Sequence, residues 1–369
     1  MSSGIIKTLQ SLQVARGLAA TLVILTHSIA GAKEMGYSYI GSFYNLADFG
    51  SIGVDIFFVI SGVIMTIITT KNQQSPKHFL IKRCIKILPL YWGLSLFCYV
   101  ISFVGFWPRI NTYEILETIT IIPFFDSGFA AGPIIYLGWT LAFEFLFYII
   151  YAFALWINKQ KAFLIVMCLL PALVALGYIF PNITDTRFRF ASNPIILEFL
   201  MGCICGYIYL GKIKISATPA FIVLGTGIFI LFFNIIKGYG NISEMGYTWD
   251  GSLSLIRVFK WGICSFFLVA GLVLLEKNGK LKAPRVLITT GDISYSAYLV
   301  HIFCVRFLIA IWHKLSLANP DLFILIAILF SLAAAYITYR FIEKPVTVYL
   351  NKKFDTNYKR SNLTTQERS

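Results

Sequence analysis

Charge is what this chain of 369 residues is short of. Asp, Glu, Lys and Arg together make up 13% of it, whereas 58% is hydrophobic, and the mean hydropathy is +0.76. An ordinary soluble domain carries about 25% charged residues, so this composition excludes one and leaves a polytopic membrane protein. Also missing is the apolar–polar alternation that strands of an outer-membrane barrel require. The apolar runs are long and continuous, so the spans are helices. The seven cysteines are scattered, mostly within those runs, which argues against a disulfide framework. Cys203 and Cys205 fall on different faces of a helix, are too isolated for a zinc site, and read as small packing residues. No internal repeat and no low-complexity linker is visible. Acidic residues are the scarcer sign, 17 against 31 basic ones. Such an excess can mark a nucleic-acid-binding protein, but its placement argues for membrane topology.

A helix needs about 20 apolar residues to cross a hydrocarbon core of ~30 Å. Ten stretches qualify, near 11–31, 50–70, 85–106, 135–157, 162–180, 194–210, 217–236, 253–275, 293–313 and 321–342. The expected fold is all-α, with ten transmembrane helices over 1–350 and a polar tail over 351–369. The stretch 113–125 is too short to cross and is expected at the interface. The first span has no small-residue cleavage site after it and is not a removable signal peptide. Basic residues crowd alternate connections: Lys71, Lys77, Lys82, Arg83 and Lys86; Lys159 and Lys161; Lys212 and Lys214; then Lys277, Lys280, Lys282 and Arg285. The 107–134 connection sets Glu114, Glu117 and Asp126 against Arg109 alone. The excess of Lys and Arg on cytoplasmic loops then puts both termini, tail included, in the cytoplasm.

A charged group at mid-bilayer costs at least ~2.5–3.5 kcal/mol, so each one in a span calls for a reason. Arg16 and His27 share the first span. Eleven residues bring them back to nearly one face, about 16 Å apart along the axis. They can mark two points along one passage, or Arg16 can simply reach lipid phosphate while His27 bonds a neighbouring helix. In the second span Asp55 either caps the helix start or orients a histidine, and Gly53 and Gly62 read as packing positions. The fourth span carries a polar stripe of Thr140, Glu144, Tyr148 and Tyr151. Glu144 stands at the depth of His27, and a carboxylate beside a histidine sets its tautomer and raises its basicity. Ser294, Tyr298 and His301 share a face of the ninth span. Lys82, Arg83 and Lys86 cluster in the connection before the third span, where a phosphorylated ligand can bind.

These stretches together resemble the acyltransferase 3 family of integral membrane acyltransferases, over nearly the whole chain. LQVARGLAATLVILTH is similar to the family's first-span motif, with Arg16 and His27 in the matching places. GVDIFFVISGVIM is similar to the second-span motif and FLIKRCIKILPLYW to the basic loop, although Lys82 and Lys86 stand where arginines are common. GWTLAFEFLFY, NPIILEFLMG, GDISYSAYLVH and YRFIEKP complete the order, and the exopolysaccharide O-acetyltransferase type looks nearest.

The resemblance implies transfer of an acyl group, most often acetyl, from cytoplasmic acyl-CoA to a hydroxyl of a surface polysaccharide or its lipid-linked precursor. It implies a multi-pass protein of the bacterial inner membrane, with acyl-CoA as substrate and no permanently bound cofactor or metal. His27 would be the essential catalytic residue and Glu144 its partner. Asp55, Tyr148, Tyr298 and His301 would support them, and Arg16, Lys82, Arg83 and Lys86 would serve the donor. Some relatives carry an esterase-like domain beyond the membrane, which this chain is expected to lack. Direct transfer to a hydroxyl and an acyl-histidine relay both stay open, as does a homo-oligomer. A proton-coupled transporter or flippase-like protein for glycan precursors would also place His, Glu and Arg in spans, but more often with internal repeats. A non-catalytic assembly subunit would not need a donor site.

Overall fold

The computed structural model describes residues 9–72, 74–122, 132–212, 216–238, 240–243, 248 and 251–354. Among them, ten helices are long and apolar enough to cross a membrane. They are α1 (Gln10–Ala32), α2 (Leu46–Lys71), α3 (Pro76–Ser102), α4 (Gly138–Ile157), α5 (Ala162–Ile179), α6 (Thr186–Leu210), α7 (Ala217–Lys237), α8 (Ser254–Lys277), α9 (Ser294–Lys314) and α10 (Pro320–Phe354).

Two of them depart most from the hydropathy reading. The third begins nine residues early, because Ser75 caps it by accepting from the His78 amide and Pro76 takes the first helical position. Lys82, Arg83 and Lys86 therefore stand on a helix, not in a loop. Pro89 lies inside that helix without ending it. The tenth runs on past its apolar part through one π turn, Tyr339–Glu343, into a polar helix, Lys344–Phe354. The expected tail boundary at 350 thus falls within a helix, and 355–369 lies outside the described residues. The expected interfacial stretch holds a short helix, Thr112–Thr120, closed by a reciprocal Asn111–Glu114 capping box; 123–125 lies outside the described residues.

α1 is the hub and packs against α2, α8, α9 and α10. Its first turn is held by Glu276 of α8, whose carboxylate accepts from the Gln10 amide at 2.9 Å and the Ser11 amide at 2.8 Å. A negative group at a helix N-terminus is favourable for both reasons of charge and hydrogen bonding. α2 crosses α6 almost backbone to backbone. A Cβ on Gly62 would lie 2.1 Å from the Phe199 carbonyl oxygen, and one on Gly202 would lie 2.0 Å from that of Val59. Only glycine permits that approach, which is the packing role expected of Gly62. Gly53 has the same role toward α1, where a Cβ would meet the Ala19 carbonyl oxygen at 2.3 Å. Cys203 and Cys205 are buried in two different apolar clusters, on opposite faces of α6.

Candidate active site

Arg16 and His27 do share one face of α1, and α9 runs beside that face in the same direction. The Arg16 Nε donates to Ser294 Oγ at 3.1 Å, and His27 Nδ1 lies 3.0 Å from His301 Nε2. Two stripes read separately in the sequence therefore meet along their length.

At the Arg16 end a cavity of about 420 Å³ is lined by Arg16, by Lys82, Arg83 and Lys86 of α3, by Thr140, Glu144 and Tyr148 of α4, and by Tyr298 of α9. Thr347 and Asn351, on the polar extension of α10, close part of its wall. The four basic candidates thus share one space, but they are not equivalent. Lys86 Nζ is paired with Glu343 at 2.5 Å, and Glu343 also accepts from Ser296 Oγ at 2.6 Å. The π turn carries Glu343 inward to make that pair. Arg83 lies 5.9 Å from the rings of Phe79 and Tyr148, and its buried Nε has no partner among the described residues. A buried N–H left open in a native fold calls for a partner such as a ligand oxygen. Among the three α3 cations, Arg83 is the one shaped for phosphate.

At the other end of the α1 face, a smaller cavity of about 90 Å³ is lined by His27, Ser51, Tyr136, Trp139, Arg257 and Tyr298 among others. Val54 and Tyr298 line both cavities. The Tyr298 hydroxyl is hydrogen-bonded to that of Thr140 at 2.8 Å.

The structure does not bring Glu144 to His27. The Glu144 carboxylate faces the larger cavity, where its Oε1 accepts from Ser61 Oγ at 2.6 Å and from the Tyr148 hydroxyl at 2.5 Å. A common depth was expected of the two residues, but depth is one coordinate of three, and the imidazole turns toward α9. The partner of His27 is His301. Its Nδ1 lies 3.0 Å from the Ala297 carbonyl, which can only accept, so that nitrogen carries the proton. In the neutral ring, His301 Nε2 then holds a lone pair, and His27 Nδ1 donates toward it and toward the Val23 carbonyl, also at 3.0 Å. His27 Nε2 is left as an unprotonated nitrogen with no partner among the described residues. A base oriented by a second group through its other nitrogen is what proton abstraction needs.

Asp55 neither caps α2 nor orients a histidine. It forms a buried two-point ion pair with Arg257 of α8, at 2.9 Å to Nε and 2.8 Å to Nη2. The remaining Arg257 donors reach the carbonyls of Ile242 and Ser51 and the Thr248 hydroxyl, at 3.0, 3.3 and 3.3 Å. Such full pairing is the condition on which a buried guanidinium is tolerated. Arg257 was missed in the sequence, although the cost of charge in a span applies to it as much as to Asp55. Glu343 was overlooked for another reason: it follows the apolar stretch and looked like part of a polar exit.

An acyltransferase domain matches residues 9–340. The chain belongs to the acyltransferase 3 family. This acyltransferase is 29% identical over 300 residues to the exopolysaccharide production protein ExoZ of Rhizobium meliloti, covering 80% of this chain and 89% of that one. It is 25% identical over 339 residues to the peptidoglycan O-acetyltransferase OatA of Listeria monocytogenes, covering 82% of this chain and 52% of OatA. The O-acetyltransferase OatA of Staphylococcus aureus is 25% identical over 328 residues, again with 52% of its length covered. The chain spans about half the length of these OatA proteins. No solved structure matches. Family membership makes the protein an enzyme and sets aside the transporter and assembly-subunit readings.

Proposed function

We propose that this acyltransferase moves an acetyl group from acyl-CoA, held in the Arg16 cavity, to a hydroxyl of a bacterial surface polysaccharide or its lipid-linked precursor, presented at the His27 cavity. O-acetyl transfer follows from the family and from the O-acetyltransferases it resembles. The likeness to an exopolysaccharide production protein supports a polysaccharide acceptor. The observation that carries the reading is the pair of cavities at the two ends of the α1 face, one cationic and one holding a free histidine nitrogen, that share Val54 and Tyr298.

CoA carries phosphates, and its nucleotide docks at Lys82 and Arg83, with the pantetheine arm running past Arg16 toward Tyr298. The acceptor hydroxyl enters from the side of Ser51 and Trp139. His27 Nε2 takes the hydroxyl proton as the oxygen attacks the thioester carbonyl. The C–S bond breaks, the C–O bond forms, and the proton goes on to the CoA thiolate. While His27 is charged, its Nδ1–H remains bonded to His301 Nε2 and the Val23 carbonyl, which supports the charge. Glu144 belongs to the donor side in this scheme, where it anchors Ser61 and Tyr148 against the wall.

The test is to incubate membranes carrying the protein with acetyl-CoA and with polysaccharide purified from a strain lacking the gene. Release of free thiol together with acetate esterified on the polysaccharide is expected. Thiol release without esterification, or neither, overturns the assignment of donor and acceptor.

A further inference from the structure

A second groove, of about 330 Å³, lies at the end of α5, outside the site described above. It is formed by the segment 177–194 and by Gly251 and Ser252. Tyr178, Phe180 and Phe188 give it aromatic walls, and Arg189, Ser192 and Asn193 give it polar edges. Tyr178 and Phe180 are 57% and 48% exposed. The short turn Thr186–Ala191 that presents Phe188 and Arg189 is fixed by Asp185, whose carboxylate accepts from the Arg187 and Phe188 amides at 2.9 and 3.1 Å. The bond to the Arg187 side chain holds that carboxyl down at about 2, so the cap stays charged across physiological pH. Arg189 donates through Nε to the Ile183 carbonyl at 3.3 Å, and its two terminal nitrogens have no partner among the described residues.

The groove belongs to the same end of the molecule as His27. Asn193 Nδ2 donates to the Thr248 carbonyl at 2.7 Å, and the Thr248 hydroxyl accepts from Arg257 Nη1 at 3.3 Å. Arg257 lines the His27 cavity. Two hydrogen bonds thus join the floor of the groove to the wall of the cavity where the hydroxyl reacts.

We infer that this groove binds a sugar residue of the same glycan chain, at some remove from the residue that is acetylated. The inference rests on the reading that the acceptor is a polysaccharide. A sugar ring has apolar C–H faces and a rim of hydroxyls. Exposed aromatic faces beside the open guanidinium nitrogens of Arg189 complement both parts, and a site of a few hundred Å³ is of the usual size for a small ligand. A lipid tail would leave the two terminal nitrogens of Arg189 unmatched. Among the described residues no carboxylate lines the groove, so Arg189 also suits an acidic sugar. Binding here lengthens the region of the polymer that the enzyme holds, which raises affinity for long acceptors without touching the chemistry.

The experiment compares two acceptors prepared from the gene-deleted strain: the intact polysaccharide and its single repeating unit. Wild-type enzyme is expected to show a lower KM for the polymer. Tyr178→Ala combined with Arg189→Ala, both exposed positions, is expected to raise the polymer KM about tenfold, as loss of one aromatic and one polar contact would. The KM for the single unit, the KM for acetyl-CoA and kcat are expected to stay unchanged. A polymer KM equal to that of wild type, or a wild-type enzyme indifferent to acceptor length, overturns the groove's role. Rescue of the polymer KM by Tyr178→Phe is expected, since the ring face is retained. Wild-type membranes that acetylate neither acceptor overturn the polysaccharide reading itself, and the groove's role with it.

Discussion

In the proposed scheme the base, His27, is oriented by a residue 274 positions away. His301 accepts from its Nδ1 and so leaves Nε2 open toward the smaller cavity. His27→Ala is expected to lose about 100- to 10,000-fold in turnover, the usual contribution of general-base catalysis. His301→Ala leaves the base in place but unoriented, so a smaller fall in kcat is expected, with a displaced limb in the pH–rate profile. The double variant should be little worse than His27→Ala alone, since groups acting as a unit are not additive. Full additivity in this cycle would separate the two histidines. Glu144 makes the contrasting case. Because its carboxylate is bonded to Ser61 and Tyr148 on the wall of the larger cavity, Glu144→Gln is expected to raise the KM for acyl-CoA and to leave the pH–rate profile in place. A shift of the acid limb in that variant would return Glu144 to the role of histidine partner.

Helices place these groups by their faces. α3 is continuous from Pro76, so Lys82, Arg83 and Lys86 lie within little more than one turn on a rigid element and not on a loose loop. Lys86 is held by Glu343 of α10, which leaves Arg83 with an open buried donor. Arg83→Ala is therefore expected to act through the KM for acyl-CoA, with kcat nearly unchanged and a larger effect at low salt, where charge attraction is less screened. Steady-state kinetics at two ionic strengths read this directly; a fall in kcat at constant KM would remove Arg83 from donor binding. The two π turns among the described residues, Val258–Gly262 in α8 and Tyr339–Glu343 in α10, follow one logic. One adjoins Arg257 and the other carries Glu343, and both deliver an ionic group into a packed interior. Extra residues of this kind change which face a side chain takes, and they cannot be seen in hydropathy, which averages over several turns.

At the scale of the whole molecule, contacts pair Arg16 with Ser294 and His27 with His301, so α1 and α9 run parallel. That is what two odd-numbered spans must do in a chain that crosses the membrane at every helix. The absolute direction rests on the distribution of Lys and Arg. Reporter fusions after residue 354 are expected on the cytoplasmic side and fusions at 182 on the opposite side; the reverse result would exchange the donor and acceptor ends. The sequence by itself determined the number of spans, because desolvating about 20 residues at a time leaves no other structure for so apolar a chain. It also drew attention to Arg16, His27, Asp55 and Glu144, though not to Arg257 or Glu343, because charge in a span is costly enough to be informative. The stripe through Thr140, Glu144 and Tyr148 does line a cavity, and the faces of α1 and α9 do meet. Only the tertiary structure decided who is bonded to whom. Asp55 found Arg257, Lys86 found Glu343, and His27 found His301. Sequence gives a residue's depth and its face on its own helix, whereas partnership depends on which helices become neighbours and how each is rotated. Those are set by close contacts such as Gly62 on Gly202, summed over the whole bundle.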